Sequence, residues 1–150
     1  GVAQGLCYRY FDSKQKLFQE AMDQYVRVCC EGFLPVICDR SRTIRERIDA
    51  MAREILTRDS SSRHSAFYHA PGNQSLHEEL SLKICRFLLP HVVRELQAAC
   101  DSGELSLRYP ELAASYLLHG QIGLIGDGSL PLDTRVQQIV RYADLILNAG

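Results

Sequence analysis

The sequence predicts an all-α protein, and three observations carry that prediction. Apolar residues recur at intervals of three and four in most segments, which is the period of a helix face. Helix-start signals precede several of these segments, and Gly or Pro follows them. No segment alternates between apolar and polar residues for long enough to indicate a strand. The chain of 150 residues is 46% hydrophobic and 23% charged, an ordinary globular composition.

Three helical segments are predicted before residue 60. The first is short and covers residues 2–10. Ser13, with the aspartate before it, provides an N-cap for a helix from about residue 14 to residue 31. Thr43 and Glu46 have the spacing of a capping box, in which each residue satisfies a backbone N–H of the other. A helix is therefore expected to begin directly after Thr43.

Three longer helices are predicted in the rest of the chain. Ser75 and Glu78 have the spacing of a second capping box and open a long helix. Pro90 lies inside that helix and predicts a kink, because proline lacks a backbone donor and clashes with the preceding turn. The last two helices are expected over residues 110–126, beginning at a proline, and from Asp133 onward.

Charge and hydropathy exclude several classes of protein. The chain has 17 Lys and Arg against 18 Asp and Glu, for a net charge of −1. This balance argues against a basic, tail-like DNA binder but allows a local basic face. No apolar run approaches the ~20 residues of a membrane span, and no secretory leader opens the sequence. We therefore expect a cytoplasmic protein without a membrane partner.

The cysteine pattern favours reduced thiols over a disulfide or zinc framework. No C-x-x-C pair occurs, and no cysteine lies near a histidine at zinc-finger spacing. We expect most of the cysteines to be small core residues, with a redox-sensing thiol as the alternative. The adjacent pair Cys29 and Cys30 cannot easily bridge on a helix. The six positions are Cys7, Cys29, Cys30, Cys38, Cys85 and Cys100.

Catalytic and metal signals are weak. His64, His69 and His77 lie near two glutamates, but their spacing is not that of a helical zinc site, and capping already explains Glu78. No Gly-rich phosphate loop or Ser/His/Asp order is present. We predict no metal, no cofactor and no enzymatic activity.

The opening GVAQGLCYRYFDSKQKLF carries the strongest motif. It resembles the second half of the DNA-binding domain of TetR/AcrR-type regulators, where the recognition helix and the next helix follow G-V-x-x-G-T-L-Y-x-Y/H-F-x-S/N-K-x-x-L. Leu6 and Cys7 depart from this pattern, which has Thr and Leu there. The matching residues are Gly1, Val2, Gly5, Tyr8, Tyr10, Phe11, Ser13, Lys14 and Leu17.

The resemblance implies operator DNA as a partner. Residues 1–31 would be the end of a helix-turn-helix domain with its connecting helix, and residues 32–150 a helical ligand-binding and dimerisation domain. The first two helices of the DNA-binding domain are expected to precede Gly1. A recognition helix must fit a major groove about 12 Å wide. The predicted DNA-binding residues are Gln4, Gly5, Leu6, Tyr8, Tyr10 and Lys14.

The resemblance also implies a small-molecule effector inside the C-terminal domain. Such pockets are mostly apolar with a few polar groups, here a tyrosine and a histidine three residues apart on one helix. Ordinary core packing is the alternative for each residue. The candidate lining residues are Met51, Ile55, Phe67, Ile84, Leu88, Tyr116 and His119.

Two C-terminal helices are predicted to form a homodimer interface. One carries small residues that allow close approach, and the other carries an apolar stripe wider than one core needs. The alternative is that both helices complete the core of the monomer. The predicted interface residues are Ala113, Gly120, Gly123, Val136, Ile139, Val140, Ala143, Ile146 and Leu147.

The sequence therefore predicts a ligand-responsive transcriptional regulator, a repressor that leaves its operator when a small molecule binds. A helical ligand-binding or dimerisation module without DNA binding is the second hypothesis. A thiol- or metal-dependent helical enzyme is the third.

Overall fold

The computed structural model describes residues 13–59, 72–126 and 129–148. These ranges contain six helices and no strand, which confirms the predicted all-α class. The predicted helix at 2–10 lies outside the described residues. The helices are α1 (Lys14–Glu31), α2 (Leu34–Ile37), α3 (Ile44–Asp59), α4 (Gln74–Asp101), α5 (Pro110–Gly126) and α6 (Leu132–Leu147).

The predicted N-caps are present at two helices, and at a third helix the N-cap is a different residue from the one predicted. Ser13 is the N-cap of α1, and its Oγ accepts a hydrogen bond from the Lys16 N–H at 3.1 Å. At α3 the capping box is complete, because the Glu46 N–H donates to Thr43 Oγ1 at 3.2 Å and the Thr43 N–H donates to Glu46 Oε2 at 2.8 Å. Helix α4 begins at Gln74, so Ser75 lies in the first turn and not at the N-cap.

Helix α4 is 28 residues long and continues through Pro90. It ends in a Schellman motif, in which the Glu104 N–H bonds the Ala99 carbonyl at 2.9 Å and Gly103 has φ +80°. The turn also reaches another helix, because Glu104 Oε1 accepts the Ile44 N–H at 2.5 Å. The end of α4 therefore satisfies a free backbone donor at the start of α3.

Helix α4 is the centre of the fold and contributes to both hydrophobic clusters. Its most extensive packing is against α5, and it also packs on α1 and α2. Helix α6 packs against α3 and α5. The first cluster joins α1, α2, α4 and α5 through Met22, Val26, Cys30, Ile37, Leu80, Cys85, Leu88 and Leu118. The second joins α3, α4, α5 and α6 through Ile44, Leu96, Ala99, Ala114 and Leu147.

The buried stripe of α1 is Met22, Val26 and Cys30, which are four residues apart and therefore share one face. Phe18 and Val28 also fit an apolar periodicity but lie on the surface, 46% and 55% exposed. None of the six helices in the described ranges combines the length and apolar character that crossing a membrane requires.

Candidate functional site

Lys14 is the one predicted DNA-binding residue within the described ranges. It is exposed and is the first residue of α1, directly after the N-cap Ser13. Backbone N–H groups at a helix start favour an anion such as a phosphate, and a lysine there adds a mobile positive charge. The other predicted DNA-binding residues, Gln4, Gly5, Leu6, Tyr8 and Tyr10, lie outside the described residues.

Most of the predicted ligand-lining residues belong to the first hydrophobic cluster. Leu88 is buried at 5% exposure, and Met51 and Ile84 are half-buried against the same cluster. Ile55 is half-buried on α3, and Phe67 lies outside the described residues. The structure thus brings Met51, Ile84 and Leu88 together within the core that also holds α1.

The two predicted polar groups of the pocket do not converge on the interior. Tyr116 is 68% exposed, so its ring projects from the surface of α5. His119 is half-buried, and its Nδ1 lies 2.9 Å from the Ser115 carbonyl one turn earlier in the same helix. Within the single chain, Tyr116 therefore does not face the interior, and the His119 ring is hydrogen-bonded within its own helix.

The predicted dimer-interface residues fall into three groups by their burial within the single chain. Val136, Ala143 and Leu147 are buried inside the single chain, so they are not available to a partner. Ala113 is half-buried against the second cluster. Ile139, Val140 and Ile146 are half-buried, and Gly120 and Gly123 are exposed.

The exposed apolar surface of the last two helices instead consists of large side chains that the sequence did not predict as interface residues. Leu112 is 63% exposed and Tyr116 is 68% exposed on α5. Tyr142 and Leu145 on α6 are 47% and 62% exposed. These four exposed residues lie on two helices that pack against each other, and together they are called here the α5–α6 face.

A buried carboxylate surrounded by arginines is the main electrostatic feature that sequence reasoning missed. Glu95 on α4 is 4% exposed, and both of its oxygens are bound by guanidinium groups. Arg40 contacts it through Nε at 2.8 Å and Nη2 at 3.2 Å. Arg94 Nε lies 3.1 Å away and Arg47 Nη1 lies 3.2 Å away.

These arginines hold the Glu95 carboxylate in its charged form. The hydrogen bond from Arg40 is the largest cause, and bonds from Arg94 and Arg47 add to it, so the pKa of Glu95 falls from 4.5 to about 2 although burial opposes the change. A signal was present in the sequence, because Glu95 lies seven residues after Leu88 and four before Ala99, on the buried face of a helix. A charge at such a position indicates a buried partner.

Beside this cluster lies an open groove of about 750 Å³. One wall is the outer face of the second half of α4, and Arg40, from the connection between α2 and α3, forms the other side. None of the predicted ligand-binding residues lines it. The lining residues are Arg40, Leu89, Pro90, Val93, Arg94, Gln97, Ala98 and Asp101.

None of the described cysteines, Cys29, Cys30, Cys38, Cys85 and Cys100, forms a disulfide, and Cys7 lies outside the described residues. Burial raises the pKa of Cys30 to about 11, with smaller contributions from the thiols of Cys29 and Cys85. Cys85 is also buried, and its Sγ lies 3.2 Å from the Leu118 carbonyl. Within the described ranges, no three His, Cys, Asp or Glu side chains are grouped as metal ligands would be.

No family model, curated protein or solved structure matches the chain.

Proposed function

We propose that the chain belongs to a DNA-binding transcriptional regulator of the TetR/AcrR type, a repressor released from its operator by a small molecule. The nine matching residues between Gly1 and Leu17 carry this proposal. The N-cap hydrogen bond of Ser13 supports it, because the motif requires Ser or Asn there and both are strong N-cap residues. Lys14 then lies at the helix start, where it can meet a phosphate.

The packing of α1 supports a route from ligand to DNA. The buried residues Met22, Val26 and Cys30 lie in one cluster with Leu80 and Leu88 of α4. A ligand that displaces α4 therefore also moves α1, because a close-packed core transmits strain.

Two polar contacts also join the outer sides of α1 and α4. Lys83 Nζ lies 2.6 Å from Asp23 Oδ1, and Gln19 Nε2 lies 3.4 Å from Glu79 Oε1. These contacts join the solvent-facing sides of the two helices, in addition to their shared core. In the proposed mechanism, ligand favours a conformer in which the two recognition helices of a dimer no longer fit successive major grooves ~34 Å apart.

The α5–α6 face supports the dimer that this mechanism needs. Its large apolar side chains are exposed in the single chain, and such patches mark interaction surfaces. Two copies of the face, related by a two-fold axis, would make an interface of four helices. Gly120 is exposed one turn after Tyr116, and a Cβ added there would lie 3.8 Å from the Tyr116 ring.

Operator binding by the full-length protein tests the proposal. Double-stranded DNA is first selected from a random pool, and affinity is then measured by fluorescence anisotropy at several salt concentrations. Tyr8→Ala and Tyr10→Ala should weaken binding, and Gln4→Ala should change the preferred sequence, because glutamine can read a base edge. Lys14→Ala should weaken binding and reduce the log–log salt slope by about 0.9, as expected for one lost phosphate contact.

Arg27→Ala is the matched control, because Arg27 is also an exposed cation on α1 but lies over three turns further along. It should leave both the affinity and the salt slope unchanged. If no DNA sequence is enriched, the proposal fails and a helical module without DNA binding takes its place. Equal effects of the Lys14 and Arg27 substitutions would mean that the start of α1 does not contact DNA.

A further inference from the structure

We infer that the groove between Arg40 and the outer face of α4 is a binding site for a small apolar molecule that ends in a carboxylate. This inference does not depend on DNA binding. The groove lies outside the core residues predicted to bind an effector, so it is a separate site.

The apolar part of the groove is formed by one face of α4. Leu89, Pro90 and Val93 lie at its surface, and Ala98 continues it about two turns further along. Its volume of about 750 Å³ lies within the range of small-molecule sites. Leu89 and Val93 are half-buried, so an apolar ligand would remove their remaining surface from water.

The charged end of the groove has more positive than negative charge. Glu95 supplies one negative charge to Arg40, Arg47 and Arg94 together. Arg47 is buried, but the side chains of Arg40 and Arg94 are 58% and 57% exposed. Asp39, which directly precedes Arg40 in the chain, forms an ion pair with Arg42 and accepts a hydrogen bond from the Ser41 hydroxyl.

Glu95 also fixes the two exposed guanidinium groups in place. Arg40 uses its Nε and Nη2 on the carboxylate, and Arg94 uses Nε there and Nη2 on Cys38 Sγ at 3.3 Å. A guanidinium has five N–H donors, so each arginine keeps others for a ligand. Because their positions are already set, a ligand binds without ordering two long side chains.

These features together select an apolar carboxylate. Guanidinium groups match the planar geometry of a carboxylate. Asp101, the acid of the groove, lies two turns from Arg94 and therefore roughly 10 Å along the helix, where it accepts a bond from Gln97. The ligand carboxylate would meet Arg40 and Arg94, and its apolar body would lie over Leu89 and Val93.

The test uses para-butylbenzoate and its neutral match, para-butylbenzamide. Each is titrated into the ¹⁵N-labelled chain, and affinities are taken from chemical-shift changes. We expect the carboxylate to bind at least about tenfold more tightly than the amide, with shifts centred on Leu89, Val93 and Gln97. Raising the salt concentration should weaken binding of the carboxylate and leave binding of the amide unchanged, because salt screens the attraction between charges.

Arg40→Gln and Arg94→Gln should each lower the affinity for the carboxylate by about fivefold or more and leave the affinity for the amide unchanged. Arg86→Gln is the matched control, since Arg86 is an exposed arginine of α4 outside the groove, and it should change neither affinity. Equal affinity of the unsubstituted chain for the two ligands would overturn the inference even if a variant failed to fold. So would chemical-shift changes centred outside the groove. None of these measurements involves DNA, so their outcome is separate from that of the operator experiment.

Discussion

Arg47 and Glu95 form a buried ion pair between α3 and α4, with Arg47 Nη1 at 3.2 Å from Glu95 Oε2. Their side chains are 8% and 4% exposed. Arg47 also donates to the carbonyls of Ile37 at 3.1 Å and Arg42 at 3.0 Å. One guanidinium therefore holds the start of α3, the end of α2 and the second half of α4 together.

Replacing Glu95 should destabilise the protein strongly. Glu95→Gln leaves the buried Arg47 without its counter-charge, and breaking a buried pair in this way costs about 3 kcal/mol of the free energy of unfolding. Urea unfolding at pH 7 measures the loss. Glu20→Gln, at an exposed position on α1, is the control and should cost less than about 0.5 kcal/mol. Equal losses for the two variants would show that the pair contributes nothing.

The same variant should change how stability depends on pH. The pKa of Glu95 is about 2 in the folded chain against an ordinary value of 4.5, so the unfolded state binds more protons between these values. The stabilisation is therefore complete above about pH 4.5 and is lost as the pH falls toward 2. Unfolding measured at pH 3, 4 and 5 should show a steeper loss for the native chain than for Glu95→Gln. Parallel curves would contradict the assignment.

Substitutions on the α5–α6 face should separate the proposed dimer. Leu112→Arg with Leu145→Arg places charges among exposed apolar residues, so the fold is kept while an interface would have to desolvate them. Light scattering should give about twice the chain mass of 16.9 kDa for the native protein and the single mass for the double variant. The control is Val28→Arg, because Val28 is similarly exposed but lies on α1. A native protein of single mass would refute the dimer.

Ala143→Arg would be a poor test of the same interface. Ala143 is 6% exposed within one chain, so an arginine there disrupts the monomer itself. Loss of the dimer in that variant would follow from unfolding and would not identify the surface.

Alkylation should distinguish neighbouring cysteines. Cys30 is fully buried with its pKa raised to about 11, whereas Cys29 is half-buried. Because the thiolate is the reactive form, iodoacetamide at pH 8 should modify Cys29 well before Cys30 in the native chain. Both should react equally in urea, and tandem mass spectrometry can resolve the two sites. Fast native labelling of Cys30 would show that this part of the core opens readily.

Local patterns in the sequence determined the class of the fold and most helix boundaries. Helical periodicity predicted the long helices, and the capping box of Thr43 and Glu46 is present as expected. Such features involve residues within a few positions of each other, so they can be read without knowing the rest of the chain. The start of α4 was misplaced, because Ser75 and Asn73 are both good N-cap residues and only the structure decides between them.

Tertiary structure alone decided which side of each helix is covered. Helix α6 is apolar on more than one side, and its periodicity could not show that Ala143 packs inward while Tyr142 and Leu145 remain exposed. Likewise, the pairing of Glu95 with Arg40 joins residues 55 positions apart. Both outcomes depend on how helices distant in sequence pack against each other, because burial and ion pairing are set by the neighbours in space.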